Sequence, residues 1–295
     1  MSETAPGPGE LAPAQVRKLV AETFNNTAPE YDRLGVDFFG TFGQWLVGEA
    51  HLSPGERVVD LGCGRGAATF PAAIAVGAEG SVLAVDLAPR MVELLRADAT
   101  ARSMRHVEVR LGDVQDVDVE GPFDCVLAAF VLFFLTDPAA ALRRYRSLLH
   151  ENGRIAVSTF YGDDERWHWL RELREMVPAE ARPPVPTDPA PFRSSDALHA
   201  LLADAGFTPA RSVEREHRTP FRDADHWLRW SYSNANRAIW DRIPAERAAE
   251  AHELARARIA GMEREHGAIE LRTGVRLTTA TRSPEPPQPR SSSAT

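Results

Sequence analysis

Residues 57–70, RVVDLGCGRGAATF, run an apolar strand through Asp60 and then set Gly62, Gly64 and Gly66 within five positions. Glycine allows the chain to turn with positive φ and lets a ligand reach main-chain N–H groups that a side chain would cover. Two more carboxylates follow apolar runs: Asp86 closes SVLAVD, 20 residues past Gly66, and Asp113 follows HVEVRL in LGDVQDV. The spacing of Gly62, Gly64 and Ala67 also satisfies a relaxed dinucleotide fingerprint, and an acid at the position of Asp86 suits any ribose, so these residues alone leave a nicotinamide cofactor open. Asp60 separates the two choices, because a carboxylate directly before the loop repels a pyrophosphate and attracts a cationic amino group. Asp113 is placed to accept from an adenine amino group. Acid, glycines, acid, acid along successive strand ends describe a ligand with an amino acid, a ribose and an adenine, and no phosphate.

These residues need a sheet to hold them. Apolar runs at 57–61, 81–86, 106–111, 123–130 and 153–160 alternate with segments of helical spacing such as PRMVELLRADATARS and PAAALRRYRSLLHENG. The second of these is expected to close on Asn152 and Gly153 as a C-cap. The alternation predicts an α/β fold: a Rossmann-like open sheet of about seven strands, mostly parallel, with helices on both faces. Two late strands are expected near 211–219 and 269–280. Residues 13–56 are read as a helical lid and 57–281 as the ligand-binding domain. A helical cap is expected at about 161–205 and 222–266, the second part inserted between the last two strands. Residues 1–12 and 282–295, rich in Pro, Ser and Gly, are read as disordered ends.

The motif series, together with FDCVLAAFVLFFLTDP, LLHENGRIAVSTF and the N-terminal FNNTAPEYDRLG, resembles the class I S-adenosylmethionine (SAM)-dependent methyltransferases over about residues 20–160. The resemblance is to the ubiquinone/menaquinone-type and natural-product small-molecule branch. His150-Glu151-Asn152 departs from the Lys-Pro-Gly usual there, in a turn. The resemblance implies SAM as cofactor and S-adenosylhomocysteine as product. It places Asp60, Gly62, Cys63, Gly64 and Gly66 along the methionine moiety, Asp86 at the ribose, and Leu87, Asp113 and Val114 at the adenine, with Met91 also among the cofactor-binding residues. Ala128, Ala129 and Phe130 would face the sulfonium, and Tyr31 would close over the cofactor.

Aromatic residues gather outside the five strands, in the N-terminal segment and in the late insertion. An aromatic-walled pocket suits a flat small-molecule acceptor and attracts a sulfonium cation. Phe24, Phe38, Phe39, Phe130, Phe134, Tyr161 and Trp230 are the candidate acceptor-binding residues. Tyr31, Asp163, His168 and His217 are candidates for a base, none of them in a dyad recognisable from the sequence. That lack favours methylation of an electron-rich ring carbon, such as indole C3 in a tryptophan-derived metabolite. O- or N-methylation and quinone C-methylation are the alternatives. From other classes, an NAD(P)-binding oxidoreductase and a non-catalytic SAM-binding module stay open.

The 295 residues carry a formal net charge of -8, which disfavours a nucleic-acid partner. No apolar run approaches the roughly 18 residues of a membrane span. The N-terminal MSETAPGPGELA has neither the basic start nor the apolar stretch of a secretory signal, so a cytoplasmic location is expected. Cys63 and Cys125 read as reduced thiols, with no disulfide framework and no metal site. A monomer or homodimer with a small-molecule acceptor as its partner is the expected state.

Overall fold

The computed structural model describes residues 11–284, so the expected disorder of 1–10 and 285–295 lies outside the described residues. Seven strands form one sheet: β1 (Arg57–Leu61), β2 (Ser81–Asp86), β3 (Val107–Leu111), β4 (Phe123–Ala129), β5 (Leu149–Tyr161), β6 (Phe207–Phe221) and β7 (Ile269–Arg282). Their order is β3-β2-β1-β4-β5-β7-β6. β7 runs antiparallel between β5 and β6, and the β3 to β5 portion is parallel throughout. The order reverses beside β1, where β2 lies on one side and β4 on the other, and such a switch point opens a crevice at the carboxyl ends of the strands.

Ten helices complete the described fold: α1 (Pro13–Thr27), α2 (Phe39–Ala50), α3 (Thr69–Val76), α4 (Pro89–Ala101), α5 (Pro138–Ser147), α6 (Leu170–Met176), α7 (Ser195–Asp204), α8 (Ala224–Tyr232), α9 (Arg237–Trp240) and α10 (Ala248–His266). Successive strand residues point to opposite faces, so the fully buried Val58 and Val59 enter different cores. Val58, Leu127 and Leu277 pack with Leu46 of α2, Ala72 of α3 and Ile259 of α10. Val59, Val126 and Ile155 pack with Leu142 of α5 and Leu198 and Leu202 of α7. Burial on both faces explains why the parallel strands read as continuous apolar runs.

Four boundaries differ from the sequence reading. α5 starts on Pro138, capped by Asp137 accepting from the Ala140 N–H, and ends at Ser147, so Asn152 and Gly153 lie inside β5. The strand makes an irregular step there, pairing Leu149 with Phe123 and then Arg154 with Cys125. A Cβ on Gly153 would come within 2.8 Å of the Leu149 Cβ, so glycine serves this step and not a helix cap. α7 leaves the expected cap at 161–205, because Leu198 and Leu202, four apart on one face, pack on Phe207 below the sheet. The lid expected at 13–56 divides as well: α2 buries Phe42 and Leu46 in the main core, while α1, the segment before α2 and the first turn of α2 border the crevice. The C-terminal tail begins later than expected, since the Arg146 guanidinium donates to the Ser283 carbonyl at 2.8 Å and the Ser283 N–H to the Gly206 carbonyl at 2.9 Å.

Both cysteines are free and buried. Among the described residues no helix is long and apolar enough to cross a membrane, and no cluster of His, Cys, Asp and Glu could hold a metal ion.

Candidate active site

A cavity of about 580 Å³ opens at the carboxyl ends of the strands around the switch point, walled also by α1, the segment before α2 and the helical cap. The structure brings nearly all the sequence-predicted residues to it. Asp60, Gly62, Cys63, Gly64, Asp86, Leu87, Met91, Asp113, Val114, Ala129 and Phe130 line it, and so do Phe24, Tyr31, Phe38, Phe39, Phe134, Tyr161, Asp163, His168 and Trp230. Gly66 and His217 are not among the lining residues.

The three glycines turn out to have different reasons. Their φ angles are +75°, +50° and +87° for Gly62, Gly64 and Gly66, a region that side chains disfavour. A Cβ on Gly66 would meet Leu95 and Phe70 at 2.7 Å, so that glycine admits the protein's own core and not a ligand. On Gly62 it would meet Val131 at 2.6 Å, whereas on Gly64 it would find only the Tyr31 ring at 4.0 Å. Gly64 is therefore the member of the trio with open space beside it.

Asp60 is fully buried, and its Oδ2 accepts the Thr69 hydroxyl at 2.6 Å while Oδ1 has no partner. Burial pushes its carboxyl up to about 7, the Thr69 bond opposes this, and the neighbouring Asp86 adds to it. Asp86 accepts the Gly64 N–H at 2.8 Å and the Ala88 N–H at 2.9 Å, and so braces the loop against the start of α4. Burial raises its carboxyl too, against the pull of those amides. Asp113 corrects the simplest expectation of a free adenine acceptor: it caps a short turn by accepting the Gln115 N–H at 2.8 Å, and lies 3.2 Å from Arg17 of α1. α1 thereby reaches over the end of β3.

This chemistry fits SAM. A buried carboxylate oxygen without a partner, beside a glycine open to the cavity, suits a cationic amino group. Each oxygen of Asp86 keeps a second lone pair for ribose hydroxyls. Asp60, Gly62 to Gly64, Asp86 and Leu87 are the residues that would hold the cofactor, which supplies a methyl group on a positively charged sulfur.

Beyond that end the wall is aromatic. Tyr31 stacks on Phe39 at 4.8 Å and 13°, Phe24 meets Phe134 edge-on at 5.2 Å, and Phe38 meets Trp230 at 5.1 Å. Burial and the nearby Asp32 and Asp86 drive the Tyr31 hydroxyl far above its ordinary range, so it keeps its proton and does not suit the role of base. Asp32, a cavity residue that the sequence reading passed over, has its carboxyl raised by burial, against the pull of the Gly40 and Phe39 N–H groups at the start of α2. Its signal was the Asp-x-x-Gly turn in YDRLG.

The largest departure concerns the base. His168 Nε2 lies 2.5 Å from Asp163 Oδ2, so a His–carboxylate dyad does exist on the cavity wall. It forms because the chain turns at Gly162 (φ +68°) and enters a short 3₁₀ turn capped by Asp164, which folds His168 back onto Asp163. His217 is elsewhere: its Nε2 is 2.8 Å from the Asp37 carbonyl, and its ring abuts Phe42 and Trp45. The sequence signal for the dyad was the polar turn GDDERWH.

A crevice at the reversal of an open parallel sheet, with a buried carboxylate before its glycine loop and acids on the next two strand ends, defines a SAM-binding α/β protein. Residues 52–206 match the family model described as a methyltransferase domain, and the chain belongs to that family. It is 34% identical over 247 residues to nocamycin O-methyltransferase of Saccharothrix syringae, covering 79% of this chain and 88% of that one. It is 41% identical over 144 residues to aklanonic acid methyltransferase DauC of Streptomyces sp. strain C5, covering 48% of this chain and 66% of the relative. The fold resembles that of the Bacillus subtilis YcgJ protein, with a TM-score of 0.56 at 14% identity over 82% of this chain and 98% of the other. The protein is a SAM-dependent methyltransferase, and these two relatives are named for small molecules.

Proposed function

We propose that the enzyme methylates an oxygen of a small, flat and largely apolar acceptor, with His168 as the base and Asp163 as its orienting partner. The 2.5 Å contact between His168 Nε2 and Asp163 Oδ2 carries this reading. The carboxylate assigns the proton to Nε2, which leaves Nδ1 as the basic nitrogen. Nδ1 takes the proton of the acceptor hydroxyl as the oxygen bonds to the methyl carbon, and the carbon–sulfur bond breaks to leave S-adenosylhomocysteine. Alignment of oxygen, methyl and sulfur by the aromatic walls supplies the rest of the rate enhancement, since holding reactants in line is worth roughly 7–11 kcal/mol. The relative whose name specifies O-methylation aligns with 79% of this chain, which supports the same assignment.

Indole C3 methylation was favoured in the sequence by the lack of a dyad, and the His168–Asp163 pair removes that ground. The test is transfer of an isotope-labelled methyl from SAM to a panel of phenols, hydroxyanthraquinones, enolic acids and indoles, with NMR locating the new methyl. Label on oxygen supports the reading. Label on carbon alone overturns it.

A further inference from the structure

Among the described residues, four other than glycine have positive φ: Asp32 (+56°), His51 (+49°), Ser103 (+56°) and Phe130 (+53°). His51 and Ser103 lie at helix ends and Asp32 in a turn, places where polar residues visit this region readily. Phe130 is different, because it is a bulky aromatic residue directly after β4, where glycine would adopt the same backbone with no steric penalty. Ser158 holds it there, accepting the Phe130 N–H on its carbonyl at 3.1 Å and on its hydroxyl at 3.2 Å.

The ring that glycine would lack stacks on Phe160, with centroids 4.4 Å apart and planes 27° apart. Phe133 flanks Phe160 at 5.9 Å and 36°. All three line the cavity, and Phe160 keeps 39% of its surface exposed. A strained aromatic residue that backs a partly uncovered ring has the form of a binding surface, since strain of this kind persists where the surroundings impose it and function uses it. Asp163 and His168 follow Phe160 in the same chain segment, around the turn at Gly162.

The geometry points to Phe160, backed by Phe130, as the platform on which a flat polycyclic aromatic acceptor stacks, with Ser158 as the residue that positions Phe130. Where the acceptor hydroxyl goes rests on the O-methylation reading above. The stacking itself does not.

The experiment is calorimetric titration of the full chain with 1,8-dihydroxyanthraquinone as the flat probe and S-adenosylhomocysteine as the cofactor-site control, alongside thermal melting. The parent binds both. Phe160→Leu binds the probe at least about tenfold more weakly and the control within about twofold, Phe160→Tyr restores probe binding, and Phe130→Gly weakens the probe as well. Phe130→Gly melts above Phe130→Ala, the reverse of the usual order, because only glycine relieves the backbone. Ser158→Ala weakens the probe but not the control. The platform is overturned by a parent that does not bind the probe, by variants that keep its affinity, or by a Phe160→Leu variant that loses the control in parallel. Should Phe130→Gly fail to fold, the two Phe160 variants decide. None of these readouts depends on transfer, so a methyl found on carbon would overturn the O-methylation reading and leave the platform standing.

Discussion

The Thr69 hydroxyl donates to one oxygen of Asp60 at 2.6 Å and leaves the other, equally buried, with no partner. A buried half-satisfied carboxylate destabilises the free protein, and a cationic ligand relieves it.

The pH dependence follows. In the folded chain Asp60 holds its proton up to about 7, against an ordinary value of 3.8. Between these values the folded state binds the extra proton, so its contribution is fully present at low pH and is lost as pH rises through about 7. At ~1.4 kcal/mol per unit the loss amounts to a few kcal/mol. The melting temperature of the free parent, relative to Asp60→Asn, should fall as pH rises across this window. SAM affinity should rise over the same window in the parent and stay nearly flat in Asp60→Asn. Parallel melting curves would contradict the assignment.

The glycines should separate by measurement. Gly64→Ala carries the roughly 1–2 kcal/mol penalty of a left-handed residue and should weaken SAM binding while leaving a folded chain. Gly66→Ala should chiefly lower the melting temperature, because its Cβ would meet Leu95 and Phe70 at 2.7 Å. Calorimetry and thermal melting on the two variants distinguish these outcomes, and equal effects on binding would show that Gly66 touches the ligand after all.

Arg17 and Asp113 join α1 to the end of β3 across 3.2 Å, with about a third of each side chain exposed. A pair this open contributes ~0–1 kcal/mol to stability, so Arg17→Ala should melt nearly as the parent does. Its effect should appear in cofactor exchange: stopped-flow displacement is expected to show faster dissociation of S-adenosylhomocysteine, and more so at low ionic strength, where the parent's latch is strongest. An unchanged off-rate would mean that α1 does not gate the crevice.

The parallel strands were legible because each is a short apolar run bounded by turn residues, and Asp60 and Asp86 because each lies at the end of such a run. What stayed hidden depends on distant partners. No local pattern says that β7 inserts between β5 and β6, or that Arg17 reaches Asp113. Gly64 and Gly66 look alike in sequence, and only the neighbours of each separate ligand space from core packing. His168 and Asp163 are five apart, a spacing that matches neither helix nor strand, and the Gly162 turn is what brings them together. The helix expected to run to Asn152 ends at Ser147, because β5 begins with an irregular pairing that cannot be read from helical periodicity.

The most direct test of the central claim is the single-turnover rate of methyl transfer to a hydroxylated acceptor, at saturating SAM, for the parent, His168→Ala and Asp163→Asn. Loss of a positioned base should lower this rate by about 10²–10⁴-fold in His168→Ala, with a smaller loss in Asp163→Asn, while SAM affinity is unchanged. A His168→Ala rate equal to that of the parent would show that the acceptor oxygen needs no base from this dyad and would contradict the account.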